Sequence, residues 1–210
     1  KWENVAKDTF LSLYGYDESV IQFFEEKKTL SGFNGEIYMP KEFILDVDGV
    51  EIAEAQDKTI KLVNILEGLK VPCNIYFSGR GFHLGIPDTA FKWKPGENLH
   101  LRVKDELDKQ GIYEYADVSV TDKTRIIRLN NTLNSKSRLW KIYIKYDELI
   151  SLNALGISAL ANKPRQIEIP ILQCEPAFDV TERMVKKETI KFKETIGSEP
   201  DPMLYPCIQT

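Results

Sequence analysis

Asp46 and Asp48 close an apolar run, Phe43-Ile44-Leu45-Asp46-Val47-Asp48. A strand alternates faces with period two, so Phe43, Leu45 and Val47 point one way and Ile44, Asp46 and Asp48 the other. The two carboxylates then project together, their Cα atoms about 7 Å apart. Like charges side by side repel and resist burial. They persist most easily where a divalent cation such as Mg²⁺ or Mn²⁺ bridges them.

Other readings of Asp-x-Asp compete. An EF-hand loop needs a third oxygen ligand before its glycine and a Glu at position twelve. Here Gly49 follows the second Asp directly, and the twelfth position counted from Asp46 is Asp57. A haloacid-dehalogenase-type phosphatase also begins with an apolar strand and Asp-x-Asp-Gly, with Asp46 as nucleophile. It usually carries Thr or Ser next, where this chain has Val50. A plain strand end, with Asp opening a turn, needs no chemistry at all.

A second segment, Ser78-Gly79-Arg80-Gly81-Phe82-His83, reads as two strands meeting at a glycine-bearing turn. Gly79 and Gly81 let backbone N–H groups approach an anion closely. Ser78 offers a hydroxyl, Arg80 a fork of donors and His83 a ring N–H, with Ser78 and His83 expected to face each other across the hairpin. A lone histidine is more often structural, but this one comes with four other anion-binding residues in six positions.

The net charge is −4, yet it is unevenly spread. Residues 123–145 hold seven basic residues (Lys123, Arg125, Arg128, Lys136, Arg138, Lys141, Lys145) and no acidic one. A phosphate-binding surface needs a local positive field, not a positive total. The run also carries Asn130, Asn131, Thr132, Asn134, Ser135, Ser137, Trp140 and Tyr143, a mixture suited to phosphate and sugar contacts. A solvated basic face is the bland alternative, and a catalytically idle nucleic-acid-binding module would use the same residues.

The elements that must position these groups alternate between helix and strand. Trp2, Val5, Ala6, Phe10 and Leu13 have helical spacing, and Asp17 can cap a helix to Lys28 with Val20, Phe23 and Phe24 inward. The Asp46 strand leads into a helix marked by Ile52, Gln56, Ile60, Val63 and Leu66, ending near Gly68. Strands are expected over 73–78 and 82–86, and a helix through Leu99, Val103 and Leu107 to Gly111. Residues 117–121, 125–129, 139–145 and 167–171 read as strands. Asp147 caps a helix ending near Gly156, and Val180 opens a charged helix to about Ile196. The class is α/β (α+β), with no internal repeat.

Bulk properties agree. The 210 residues are 42% hydrophobic and 29% charged, which suits a globular protein of one large domain or two intimate halves. No apolar run reaches the roughly 18 residues of a membrane span, and no membrane partner is expected. Three dispersed cysteines, Cys73, Cys174 and Cys207, fit neither a zinc site nor a disulfide framework and point to a reducing, cytoplasmic setting. The chain begins with Lys and reads as a piece of something longer: residues 1–196 as a catalytic domain, 197–210 as a linker or the start of a further module.

These motifs together resemble the archaeo-eukaryotic primase superfamily, most nearly the primase-polymerases of plasmids, phages and CRISPR-associated proteins. Asp46-Val47-Asp48 is similar to its first motif and Ser78-Gly79-Arg80-Gly81-Phe82-His83 to its second. Asp117, in Tyr115-Ala116-Asp117-Val118-Ser119, is similar to the third, with Asp122 a rival. Asp117 is preferred because it falls in an expected strand and Asp122 in a turn. The likeness spans residues 36–145.

The resemblance implies a template-directed nucleotidyltransferase, a DNA primase and DNA polymerase active in replication. An N-terminal α/β unit and a C-terminal unit like an RNA-recognition fold would flank the site. It implies two Mg²⁺ or Mn²⁺ ions held by Asp46, Asp48 and Asp117. Ser78, Gly79, Arg80, Gly81, His83, Arg128 and Lys136 would bind the triphosphate of an NTP or dNTP. Arg125, Arg138 and Lys141 would contact a single-stranded DNA template or primer, and Tyr76 or Trp93 could stack on a base. The ending Tyr205-Pro206-Cys207-Ile208 resembles a lead into a further primase or helicase module.

Overall fold

A computed structural model describes residues 8–181. The chain opens with β1 (Phe10–Ser12), β2 (Gly15–Tyr16), α1 (Ser19–Lys27), β3 (Ile37–Tyr38), β4 (Glu42–Val47) and α2 (Ile52–Gly68). It continues through β5 (Asn74–Phe77), β6 (Phe82–Pro87), β7 (Phe91–Lys92) and α3 (Leu99–Lys109). A 3₁₀ turn, Val118–Thr121, precedes β8 (Ile126–Arg128), β9 (Leu133–Asn134), β10 (Leu139–Trp140) and β11 (Ile142–Ile144). Then come α4 (Tyr146–Ser151), α5 (Ala154–Leu160) and β12 (Phe178–Asp179). The class is mixed helix and sheet, as the sequence indicated.

The centre is a four-stranded antiparallel sheet in the order β11-β5-β6-β4. Its register explains the burial. One set of rows, Leu45–Leu84–Ile75–Ile144 and Val47–Phe82–Phe77–Ile142, is entirely apolar, and every member is at most 4% exposed. Each such side chain contributes roughly 1.5–3 kcal/mol by leaving water. The row between them, Asp46–His83–Tyr76–Tyr143, projects to the opposite face. Thus one strand pair serves the core and carries the polar groups.

Helix α2 packs on β4 and β6. Its buried residues Ala55, Thr59, Leu62 and Leu66 recur at helical spacing, and Gln56 donates to the Leu149 and Leu152 carbonyls, tying α4 to it. The helix runs through Gly68. It ends where Lys70 turns left-handed (φ 58°) and the Val71 N–H reaches back to the Leu66 carbonyl.

Several local expectations differ. Phe10 sits in β1, paired with β8, because Phe10–Ser12 finds a strand partner across 116 residues that spacing alone does not reveal. Residues 117–121 form a 3₁₀ turn, since the Asp117 side chain accepts the Ser119 N–H and pulls the backbone out of the extended state. The 139–145 strand breaks at Lys141 into β10 and β11, which join different sheets. Residues 167–171 form no strand. The helix expected from Asp147 splits in two, Asn153 capping α5 through the Gly156 N–H. Phe24, expected inward, is 49% exposed, while Phe23 packs on Phe33. The helix beyond Val180, the 197–210 linker and Cys207 lie outside the described residues, as do residues 1–7. Among the described residues no helix is long and apolar enough to cross a membrane.

Candidate active site

The β5–β6 hairpin turns through Gly79 and Arg80, closed by the Ser78 N–H donating to the Gly81 carbonyl at 2.9 Å. Gly79 has φ 96° at the first central position while Arg80 stays at negative φ, the pattern of a type II′ turn. Gly81 answers a different need. A Cβ there would lie 2.4 Å from the Val47 carbonyl oxygen and 2.8 Å from Asp48 Oδ1. The glycine therefore lets the turn close directly against the end of the Asp-x-Asp strand. The ladder sets Ser78 opposite Gly81 and His83 opposite Tyr76 and Asp46, so Ser78 and His83 do not face each other.

Together these groups line a cleft of about 340 Å³ bounded by Asp46, Asp48, Ser78, Arg80, His83, Arg125, Arg128 and Asn134, among others. Asp46 is 8% exposed and Asp48 is exposed. Burial, then the charge of Asp48, pushes the Asp46 carboxyl up to about 6, against the pull of Arg125. His83 Nε2 lies 3.4 Å from Asp46 Oδ1. Burial, with the charges of Lys141, Arg125 and Arg128 adding to it, holds the imidazole well below its usual range. The ring is therefore neutral, and the contact is not an ion pair.

Asp117 reaches this site through two links. Its backbone N–H donates to the Asp46 carbonyl at 2.8 Å, and Arg125 Nη2 lies 2.9 Å from Asp46 Oδ2 and 3.8 Å from Asp117 Oδ2. The Asp117 carboxylate also accepts the Ser119 N–H and hydroxyl. Burial opposes its ionisation, but these hydrogen bonds and Arg125 prevail and lower its pKa. Asp122 instead caps the turn at Thr124 and lines a separate cleft with His100 and Lys104. The structure thus sets Asp117, not Asp122, beside Asp46, although Asp117 is not in a strand.

Strand β8 forms another wall. Arg128 Nη1 is bound by the Asp8 carboxylate and by the Leu133 carbonyl, with the Phe10 ring 4.8 Å away. Asn134 Nδ2 donates to the Ser78 carbonyl, fastening the β9–β10 hairpin to the glycine turn. Lys136 and Arg138 are exposed on that hairpin. Lys141 is elsewhere. It is buried, its Nζ donating to the Arg128 carbonyl at 2.8 Å and sitting 4.9 Å from the Tyr76 ring centre. A template strand cannot reach it there. Tyr76 is likewise buried, its hydroxyl on Glu42, and presents no face for stacking. Trp93 is part-buried against the core. Sequence reasoning missed Phe10 as a cleft residue and Asp8 as the partner of Arg128; Thr9-Phe10-Leu11-Ser12-Leu13 shows no strand alternation that could have signalled them.

Carboxylate oxygens are the right donors for Mg²⁺ or Mn²⁺. Asp46 and Asp48 share the cleft wall, and their mutual repulsion is the kind a cation relieves, so the pair fits such an ion by its chemistry. Among the described residues, however, no three acidic, histidine or cysteine side chains converge closely enough to hold one. Asp117 is turned to Ser119 and Arg125 rather than into a shared ligand set.

No protein-family model matches the sequence, and no curated protein matches it. Among solved structures, the polymerase domain from Mycobacterium tuberculosis Ligase D, in complex with DNA, matches with a TM-score of 0.44 at 12% identity. That match covers 74% of this chain, which spans 61% of the length of that structure.

Proposed function

We propose that the chain is a template-directed nucleotidyltransferase that makes or extends DNA primers, a primase-polymerase domain. The observation that carries this reading is one cleft in which an Asp-x-Asp strand end meets a glycine turn and two arginines, Arg125 and Arg128. Acidic groups for a divalent cation and cationic groups for phosphates thus share one wall-to-wall space.

In this reading Asp46 and Asp48 hold a divalent cation, with Asp117 the nearest further carboxylate for a second. Such ions would lower the pKa of an attacking 3′-hydroxyl and offset charge on the leaving pyrophosphate. The chain's own residues do the rest. Ser78 and the Gly79-Arg80-Gly81 turn grip phosphate oxygens, Arg80 by its exposed guanidinium. Arg128 and Lys136 add positive charge along the triphosphate, and Arg138 and Arg125 steer the nucleic-acid backbone. His83, neutral and buried, orients Asp46 rather than acting as a phosphate cation. Substrates are an NTP or dNTP with a single-stranded DNA template and primer, and a primase or helicase module in a longer parent protein fits the same role.

The experiment is incubation with single-stranded DNA, labelled nucleotides and Mn²⁺ or Mg²⁺, with and without a primer. Products in either arm that vanish in Asp46→Ala and Asp48→Ala support the proposal. Synthesis undiminished in those variants overturns it. Salt-sensitive DNA binding with no incorporation indicates a binding module, and release of phosphate through a phosphoaspartate at Asp46 indicates the phosphatase reading.

A further inference from the structure

The cation that the Asp46 carboxylate faces in this structure is a guanidinium. Arg125 Nη2 is 2.9 Å from Asp46 Oδ2 and 3.8 Å from Asp117 Oδ2, while Nη1 is 3.3 Å from the Ser119 hydroxyl. The Arg125 side chain is 31% exposed, so it is partly withdrawn from water yet still lines the cleft. Its Nε is buried with no partner, so the group is not locked in by a full set of hydrogen bonds. The arm comes from the loop between the 3₁₀ turn and β8, where the Arg125 N–H is held by the Asp122 carbonyl.

We propose that Arg125 is a built-in placeholder for the metal: it pairs with Asp46, and at longer range with Asp117, until a divalent cation displaces it. This rests on the reading of Asp46 and Asp48 as metal ligands. Asp46 and Asp48 at the end of β4 repel each other, and Asp117 adds to the negative potential at Asp46, if nothing intervenes. A guanidinium cannot neutralise itself by losing a proton, so it offsets them at every working pH. For the same reason it cannot make way by deprotonation. It must swing off Asp46 Oδ2 before an ion can use that oxygen, and the adjoining cleft offers the room. Cation binding is thereby a competition between two positive groups for one carboxylate. The arrangement offsets part of the acidic charge when the site is empty, at some loss of metal affinity. Arg125 is then a positioning residue, acting through Asp46.

The test is titration of the protein with Mn²⁺, following free Mn²⁺ by electron paramagnetic resonance, with no nucleotide or DNA present. Arg125→Gln is expected to tighten Mn²⁺ binding by roughly two- to fivefold, the factor expected for a lost partly exposed ion pair. Arg80→Gln removes a guanidinium from the same cleft wall that makes no ion pair with these carboxylates, and its change is expected to be smaller. Unchanged or weaker binding in Arg125→Gln, or an equal gain in Arg80→Gln, overturns the inference while leaving the proposed function standing. Absence of Mn²⁺ binding in the unaltered protein and all variants overturns both. If Arg125→Gln does not fold, Arg125→Lys carries the test, because an ammonium cannot bridge two carboxylates as the planar fork does. A smaller gain in affinity is then expected, and no gain overturns the proposal.

Discussion

Asp46 and His83 sit directly opposite each other on β4 and β6, with Nε2 of the imidazole 3.4 Å from Oδ1 of the carboxylate. The register of one antiparallel ladder therefore joins the first acidic motif to the glycine-turn motif, although 37 residues separate them. Both groups are buried, so the sheet bears the cost of holding an ionisable pair away from water.

That cost is measurable at Asp46. Its carboxyl is raised to about 6, first by burial and then by Asp48. The folded protein thus binds a proton more tightly than the unfolded chain, and ionised Asp46 lowers stability as pH rises from about 4 to 6. Asp46→Asn is expected to stabilise the metal-free protein at pH 7.5 by roughly 1–3 kcal/mol. Urea denaturation in EDTA checks this, and a loss of stability would show that the Arg125 pair outweighs the burial.

Gly81 and Gly68 should respond in opposite ways to alanine. At Gly81 the new Cβ would collide with the Val47 carbonyl at 2.4 Å, so Gly81→Ala is expected to cost roughly 1–3 kcal/mol and to disturb the cleft. At Gly68, within α2, nothing lies within 4 Å of the new Cβ. Gly68→Ala is expected to gain roughly 0.5–1 kcal/mol from helix propensity. Paired thermal and urea melts separate the two.

The choice of third carboxylate can be settled by kinetics. Asp117 touches Arg125 and the Asp46 backbone, whereas Asp122 faces another cleft. Asp117→Asn is expected to lower divalent-dependent nucleotide incorporation by roughly 100-fold or more, and Asp122→Asn by less than about threefold. The reverse order would make Asp122 the functional residue.

Lys141 offers a second pH test. Burial, with Arg128 nearby and Glu42 and Asp46 opposing, brings its ammonium down to about 7 from an ordinary value near 10.5. Between these values the unfolded chain holds the proton and the folded protein does not, so stability rises with pH across that window. Below about 7 both states are charged and the penalty is at its full size. Lys141→Met removes the penalty but also the bond to the Arg128 carbonyl. It is expected to be more stable than the unaltered protein by roughly 1–4 kcal/mol at pH 7, with the gap narrowing towards pH 9.5. Urea melts at the two pH values check it.

Much of the framework was legible because it is local. The apolar run Phe43-Ile44-Leu45 forecast β4, strand period two forecast its two faces, and the spacing from Ile52 to Leu66 forecast α2. The glycine turn showed itself because few residues other than glycine accept φ 96°. Misread elements are those set by distant partners or side-chain caps. Phe10 joined a strand because β8 was there to pair with it, and residues 117–121 coiled because Asp117 caps its own turn.

The sequence by itself determined which residue types are available: two carboxylates at one strand end, a glycine turn with Ser, Arg and His, and an acid-free basic run. Hydrogen-bonding rules and side-chain periodicity act over a few residues, so these features are written locally. Only the tertiary structure decided how they combine. Strand register put His83 on Asp46, a loop brought Asp117 beside it, and packing buried Lys141 while leaving Arg80 exposed. Each of those outcomes depends on Coulomb energy and burial between residues far apart in the chain, which no local pattern encodes.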